Sequence, residues 1–183
     1  MTDSPQPRFR LPHWGWFLLA TVVPCIGGIG LSIWLPWHLE QRVAQKIKSW
    51  GGRVQTVPLG PDWVLQLVGK DRIAGFELFD RIVGVDLSDS TITDADVSRL
   101  KELTNLEDLN LDRTAVTDAG LVHLSRLPYL HWLSLTGTEV TDGGLAHLSK
   151  LTHFEQCWLD GTAVTDKGIA ELNQALPHCE IFR

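Results

Sequence analysis

The sequence copies itself at a fixed interval of 24 residues, and that property limits the folds open to its C-terminal half. Ile92-Thr93-Asp94, Val116-Thr117-Asp118, Val140-Thr141-Asp142 and Val164-Thr165-Asp166 are successive copies in one register. Upstream of each triplet stand three apolar columns: Ile82, Leu106, Leu130 and Phe154; Val85, Leu109, Leu133 and Cys157; Leu87, Leu111, Leu135 and Leu159. The two-residue step between the last two columns puts them on one face of a short strand. Downstream, Val97, Leu121, Leu145 and Ile169 are followed three residues later by Leu100, Leu124, Leu148 and Leu172, the spacing of a helix face. A strand, a tight turn and a helix in so short a unit cannot bury their apolar face alone, so neighbouring units must stack into a solenoid.

Within each unit the triplet starts the helix. Thr117 suits the N-cap, Val116 precedes it, and Leu121 falls where a hydrophobic staple needs it. Asp118 places a negative charge at the positive end of the helix dipole, and each such cap is worth ~1 kcal/mol. Gly120, Gly144 and Gly168 recur in the first turn, with Asp96 in the opening copy. Glycine there costs up to ~1 kcal/mol, so its recurrence implies close approach of the neighbouring turn. At the end of the array Ile181 falls in the column of Cys157, but Leu176 joins the column of Leu151 only if one residue is added. A distorted final strand near residues 179–182 is therefore expected.

The pattern L-x-x-L-x-L-x-x-T-x-V-T-D-x-G-L, as in Leu106 to Leu121, resembles the leucine-rich repeat family. It looks most like cysteine-containing repeats and membrane-tethered bacterial leucine-rich repeat proteins. The resemblance covers residues 82–183 and implies an α/β solenoid with parallel strands on a concave face and helices on a convex one. Ser90, Thr114, Thr138 and Thr162 fill the column that usually holds Asn or Cys in that family, where a hydroxyl reaches fewer loop groups.

A second feature lies ahead of the repeats. From Leu11 to Leu39 there is no Asp, Glu, Lys or Arg, and Trp14 to Trp37 form a segment of 24 residues with a tryptophan pair at each end. As a helix it is about 36 Å long, enough to cross a hydrocarbon layer of roughly 30 Å, with indole rings at both interfaces. A cleaved secretory signal is the competing reading, but its apolar core is shorter. After the span, Leu39, Val43, Ile47 and Trp50 form one apolar stripe on a helix that also carries Arg42, Lys46 and Lys48. Such a helix either lies on anionic lipid or packs on the next domain. Val54 to Leu59 alternates like a short strand, and Pro61-Asp62-Trp63 can open another helix. The expected organisation is an N-terminal tail (1–13), a transmembrane helix (14–37), a juxtamembrane helix and cap (38–78) and the solenoid (79–183). Basic residues flanking the span lean the solenoid toward the cytoplasmic side.

Charge narrows the function. The net −6 divides into +3 over residues 1–78 and −9 over residues 79–183. An acidic repeat domain lacks the clustered Lys and Arg that nucleic acid binding requires. Function on a solenoid resides in strand positions pointing away from the core. By phase these are Gly84, Asp86 and Ser88 in the opening unit, then Glu107, Asp108, Asn110, Asp112, Arg113, His131, Trp132, Ser134, Thr136, Glu155, Gln156, Trp158 and Asp160. Adjacent strands lie ~4.8 Å apart, so Trp132 and Trp158 are expected to form one aromatic patch ringed by carboxylates, suited to a protein or peptide of basic character. The bland alternative has either ring packing sideways as core overflow. Self-association through the Gly-rich span or the terminal strand is the second functional reading. No cofactor is implied: His123 and His147 share a column without a third ligand, Asp86, Asp112 and Asp160 lack a calcium loop, and no nucleophile is paired with a base. Cys157 and Cys179 are read as core thiols near enough to bridge.

Overall fold

The structure, a computed structural model, describes residues 39–58 and 80–183. The apolar segment 14–37 and the helix start at Pro61-Asp62-Trp63 lie outside the described residues. Among those described, no helix is long and apolar enough to cross a membrane.

Helix α1 (39–49) is followed by β1 (Arg53–Pro58) and β2 (Asp80–Asp86). Four helix and strand pairs follow: α2 (Asp94–Leu100) and β3 (Asp108–Asn110), α3 (Asp118–Leu124) and β4 (Trp132–Ser134), α4 (Asp142–Leu148) and β5 (Gln156–Trp158), α5 (Asp166–Ala175) and β6 (Glu180–Phe182). The six strands form one sheet in chain order. β1 runs antiparallel to β2 with a register shift between Gln55 and Thr56, and every later pair is parallel. Leu109 pairs with Leu133, Leu133 with Cys157 and Cys157 with Ile181, each step one repeat long. The domain is thus a solenoid whose coil is the sequence repeat. Final strand β6 keeps this register, contrary to the distortion expected from the sequence. The extra residue is taken up upstream, where α5 runs ten residues against seven in each earlier coil.

The apolar columns fill one continuous core. Ile82, Leu106, Leu130 and Phe154 are all buried, as are Leu87, Leu111, Leu135 and Leu159, and the helix column Leu100, Leu124, Leu148 and Leu172 closes the other side. α1 belongs to this core. Val43, Ala44 and Ile47 are buried in the same cluster, with Trp50 packed against it. Of the two readings for α1, packing on the solenoid is the one observed. Val43 and Ile47 of its apolar stripe are therefore not available to enter lipid, while Leu39 stays exposed. The helix ends in a Schellman arrangement, in which Gly52 N–H donates to Ile47 C=O and Gly51 N–H to Lys48 C=O, with Gly51 at φ +85°. A Cβ on Gly52 would stand 2.6 Å from Leu87 Cδ2, so the close fit of α1 against the first coil needs that glycine.

The Thr-Asp pair starts each helix as expected, with Thr93, Thr117, Thr141 and Thr165 at the N-caps and an aspartate in every first turn, and it has a second use between coils. The carboxylate of Asp94 accepts from both the N–H (2.8 Å) and the hydroxyl (2.7 Å) of Thr117 in the next coil. Asp118 does the same for Thr141, and Asp142 for Thr165. Each aspartate thus holds the helix start of its successor as well as sitting in the first turn of its own helix. The threonine hydroxyls also accept weakly from the first turn, as Thr117 does from Ala119 N–H at 3.3 Å. This ladder explains the glycine column. A Cβ on Gly120 would lie 2.6 Å from Asp94 Oδ1, and one on Gly144 or Gly168 would collide with Asp118 or Asp142. Among the described residues no aspartate of an earlier coil meets Thr93, and the column there holds Asp96, which accepts from the N–H and hydroxyl of Thr93 instead. The last rung, Asp166, pairs with Arg183 at 2.5 Å in place of a further threonine.

Candidate interaction surface

Parallel register sorts the outward strand residues into two ladders. One runs Gly84, Asp108, Trp132, Gln156 and Glu180; the other runs Asp86, Asn110, Ser134, Trp158 and Phe182. Trp132 and Trp158 therefore stand in different ladders, and the single tryptophan patch expected from the sequence does not form. Trp158 stacks instead on Phe182, with ring centroids 4.2 Å apart and planes 17° from parallel. The packing-sideways reading describes Trp158, whose indole N–H is buried without a partner among the described residues. Trp132 is half-buried, between Asp108 and Gln156 in its own ladder.

Several expected partner-binding residues are committed to the fold. Ser134 is only 3% exposed and donates its hydroxyl to Asp112 Oδ1, so it is withdrawn from the surface. The same oxygen accepts from Thr136 N–H at 3.0 Å, while Asn110 Oδ1 accepts from Asp112 N–H at 2.9 Å. The two bonds to Asp112 tie β4 and the turn after it to the turn after β3, and the Asn110 bond closes that turn on itself. Arg113 is spent on Asp89 in the preceding coil through two parallel bonds of 2.6 Å, Nε to Oδ1 and Nη2 to Oδ2. That pairing holds the Asp89 carboxyl below its usual range and pushes the Arg113 guanidinium up. Both residues have left-handed backbone, φ 58° and 53°, in the column continued by Gly137 and Gly161 at φ 70° and 68°. Asp89 is not among the residues expected on this face, although two glycines one and two repeats beyond Arg113 mark its column as a left-handed turn.

The remainder carry no side-chain hydrogen bond within the described residues. Glu107, Asp108, Glu155 and Asp160 are exposed, and Gln156 and His131 are half-buried beside Trp132. The backbone locks their spacing: Glu107 C=O accepts from the N–H groups of His131 and Trp132, and His131 C=O from those of Glu155 and Gln156. The His131 ring makes an edge contact with His153 at 6.1 Å, and His153 lies 6.0 Å from the exposed Tyr129 ring. The result is one indole bordered by carboxylates with unused acceptors.

His123 and His147 lie half-buried on α3 and α4. Among the described residues no cluster of three or more His, Cys, Asp or Glu is arranged to hold a metal ion. Cys157 and Cys179 are both buried free thiols. Burial raises the Cys157 thiol far above its usual value, with Cys179 adding to the shift, and pushes Cys179 up to about 11.

No protein-family model matches the sequence, and no curated protein matches it. Among solved structures, the chain is similar to a leucine-rich-repeat protein of Leptospira interrogans at 23% identity and TM-score 0.38, over 47% of this chain and 21% of that one. An internalin of Listeria monocytogenes is similar at 23% identity and TM-score 0.36, over 50% of this chain and 31% of that one. The Chaetomium Mex67:Mtr2 subunits give 18% identity and TM-score 0.42, over 49% and 69%. This chain thus spans about a fifth of the Leptospira protein and under a third of the internalin. What makes the domain a leucine-rich-repeat-like solenoid is its own register: parallel three-residue strands, each followed by a helix, repeating in phase with the leucine columns.

Proposed function

We propose that this chain is a membrane-anchored protein-interaction module, in which residues 14–37 cross the bilayer and the outward strand face binds a basic segment of a protein or peptide. The observation that supports this reading is the half-buried Trp132 among the exposed, unbonded carboxylates of Glu107, Asp108 and Glu155. A half-buried indole supplies apolar contact area, and free carboxylates near it steer and orient Lys and Arg. We assign it no catalytic role and no cofactor. Selection of a random peptide display library on the full chain should enrich Lys- and Arg-rich sequences whose affinity falls at least about tenfold with Trp132→Ala. Peptides of no particular charge, or binding indifferent to Trp132→Ala at unchanged thermal stability, would reject the reading. Trp158→Ala is a poor probe of the surface, because it also removes the stack on Phe182.

Self-association through the terminal strand is the second reading, favoured by β6 pairing with β5 alone among the described residues. Light scattering of the full chain in detergent tests it: a mass that rises with concentration above the monomer is expected if this strand pairs between copies, and a constant monomer mass would exclude it.

A further inference from the structure

We infer that the outward face of α1 docks against an anionic lipid surface. The helix has eleven described residues, and its four buried ones, Glu40, Val43, Ala44 and Ile47, all face the solenoid. Arg42, Gln45, Lys46, Lys48 and Ser49 are exposed, and Arg53 just beyond the helix is exposed as well. The only acid between residues 39 and 58 is Glu40, and it is turned inward, where it accepts from Ile82 N–H and Asn105 Nδ2. Burial therefore sorts the charges: the acid goes to the core and the four cations stay outside. Among the described residues Arg42 and Lys48 make no ion pair, Lys46 lies 5.7 Å over the Trp50 ring, and Arg53 reaches Asp86 only at 4.0 Å. A basic face this poorly neutralised, on a domain otherwise strongly acidic, is complementary to anionic headgroups.

Its place in the chain favours lipid over a soluble anion. The described helix begins two residues after Trp37, the last tryptophan of the apolar segment. This inference rests on the proposal that the segment crosses the membrane, which would hold α1 within a Debye length of the headgroups. The contact is electrostatic and lies at headgroup level. Val43 and Ile47, the middle of the apolar stripe that an inserting helix would use, are already buried in the solenoid, and Leu39 alone of that stripe stays exposed.

The full chain, incorporated in nanodiscs of phosphatidylcholine alone or with added phosphatidylserine, tests this by lysine acetylation with a water-soluble reagent and mass spectrometry. Lys101 and Lys150, both exposed on the solenoid, serve as internal controls. Lys46 and Lys48 should react several-fold more slowly in the anionic discs, recover at high salt, and leave Lys101 and Lys150 unchanged. Equal rates at Lys46 and Lys48 in the two lipids would overturn the docking face while leaving the anchor intact, as would parallel slowing of all four lysines. Failure of the chain to enter the discs would remove the anchor and the docking face together. Peptide binding by the strand face is read separately and does not depend on either result.

Discussion

Replacing Gly144 by alanine should destabilise the solenoid, although alanine is the better helix former. On propensity alone the change is worth up to ~1 kcal/mol in favour of alanine, and less in a first turn. The new Cβ would collide with Asp118 Oδ1 and stand 2.9 Å from Leu121 Cδ1. Leucine can swing aside; the carboxylate is pinned by Thr141 N–H at 2.8 Å and the Thr141 hydroxyl at 2.5 Å. Displacing it forfeits two charge-assisted bonds, each worth ~1.5 kcal/mol net at a partly solvated site. The balance is a loss of about 2 kcal/mol, and Asp118→Ala alone should lose a similar amount. Because both changes break the same pair of bonds, the double variant should also lose only about 2 kcal/mol, a coupling of that size in the cycle. Urea unfolding of the full chain in mild detergent, followed by far-ultraviolet circular dichroism, measures all four corners. Additive losses of about 4 kcal/mol in the double variant would refute the reasoning, since the glycine would then be needed for something other than the aspartate.

The buried Glu40 and the exposed aspartates set opposite pH dependences. Desolvation raises the Glu40 carboxyl above 4.5 against the opposing bonds from Ile82 and Asn105 and the nearby Arg81 charge, so its contribution is full below that value and lost as pH rises through the folded value. Glu40→Gln should remove that alkaline-side loss, which pH-dependent urea midpoints would show; an unchanged profile would count against it. Asp142, held below 3.8 chiefly by the Thr165 hydroxyl, and Asp89, held low by Arg113, contribute stability above 3.8 that disappears as pH falls through their folded values. For the thiols, burial and raised pKa values predict that Cys157 and Cys179 resist maleimide at pH 8 until urea is added, and rapid labelling in the folded chain would contradict their placement.

Sequence periodicity carried far in this chain because a solenoid makes each column a line of neighbours in space. The leucine columns, the strand phase and the close approach at Gly120, Gly144 and Gly168 were all legible for that reason. The partner in that approach was not, because the first-turn aspartate has an evident use in its own helix that hides the one in the next coil. The tryptophan patch failed on simple arithmetic. Trp132 and Trp158 are 26 residues apart, two more than the repeat, and two residues along a strand is the next ladder rather than the next rung. Phe182, a full repeat after Trp158, was the ring to expect beside it. The fate of α1 turned on tertiary packing that its amphipathic pattern serves equally well on lipid or on protein.

Counting hydrogen bonds separates acids that build the stack from acids that can meet a partner, and the separation is testable on two residues four apart. Asp108 and Asp112 look alike in sequence, one opening β3 and one in the turn after it, and both were expected to point off the core. Asp112 Oδ1 holds Ser134 and Thr136 of the next coil, whereas Asp108 bonds nothing and faces Trp132. Asp112→Asn weakens two inter-coil bonds and should cost about 1–2 kcal/mol of unfolding free energy. Asp108→Asn should leave stability within ~0.5 kcal/mol and weaken basic-peptide binding, with a shallower dependence on salt, since a rim carboxylate acts through long-range attraction. If both substitutions shift the urea midpoint equally, or if Asp108→Asn leaves peptide binding and its salt dependence untouched, then an unbonded acid on this face is no guide to where a partner sits.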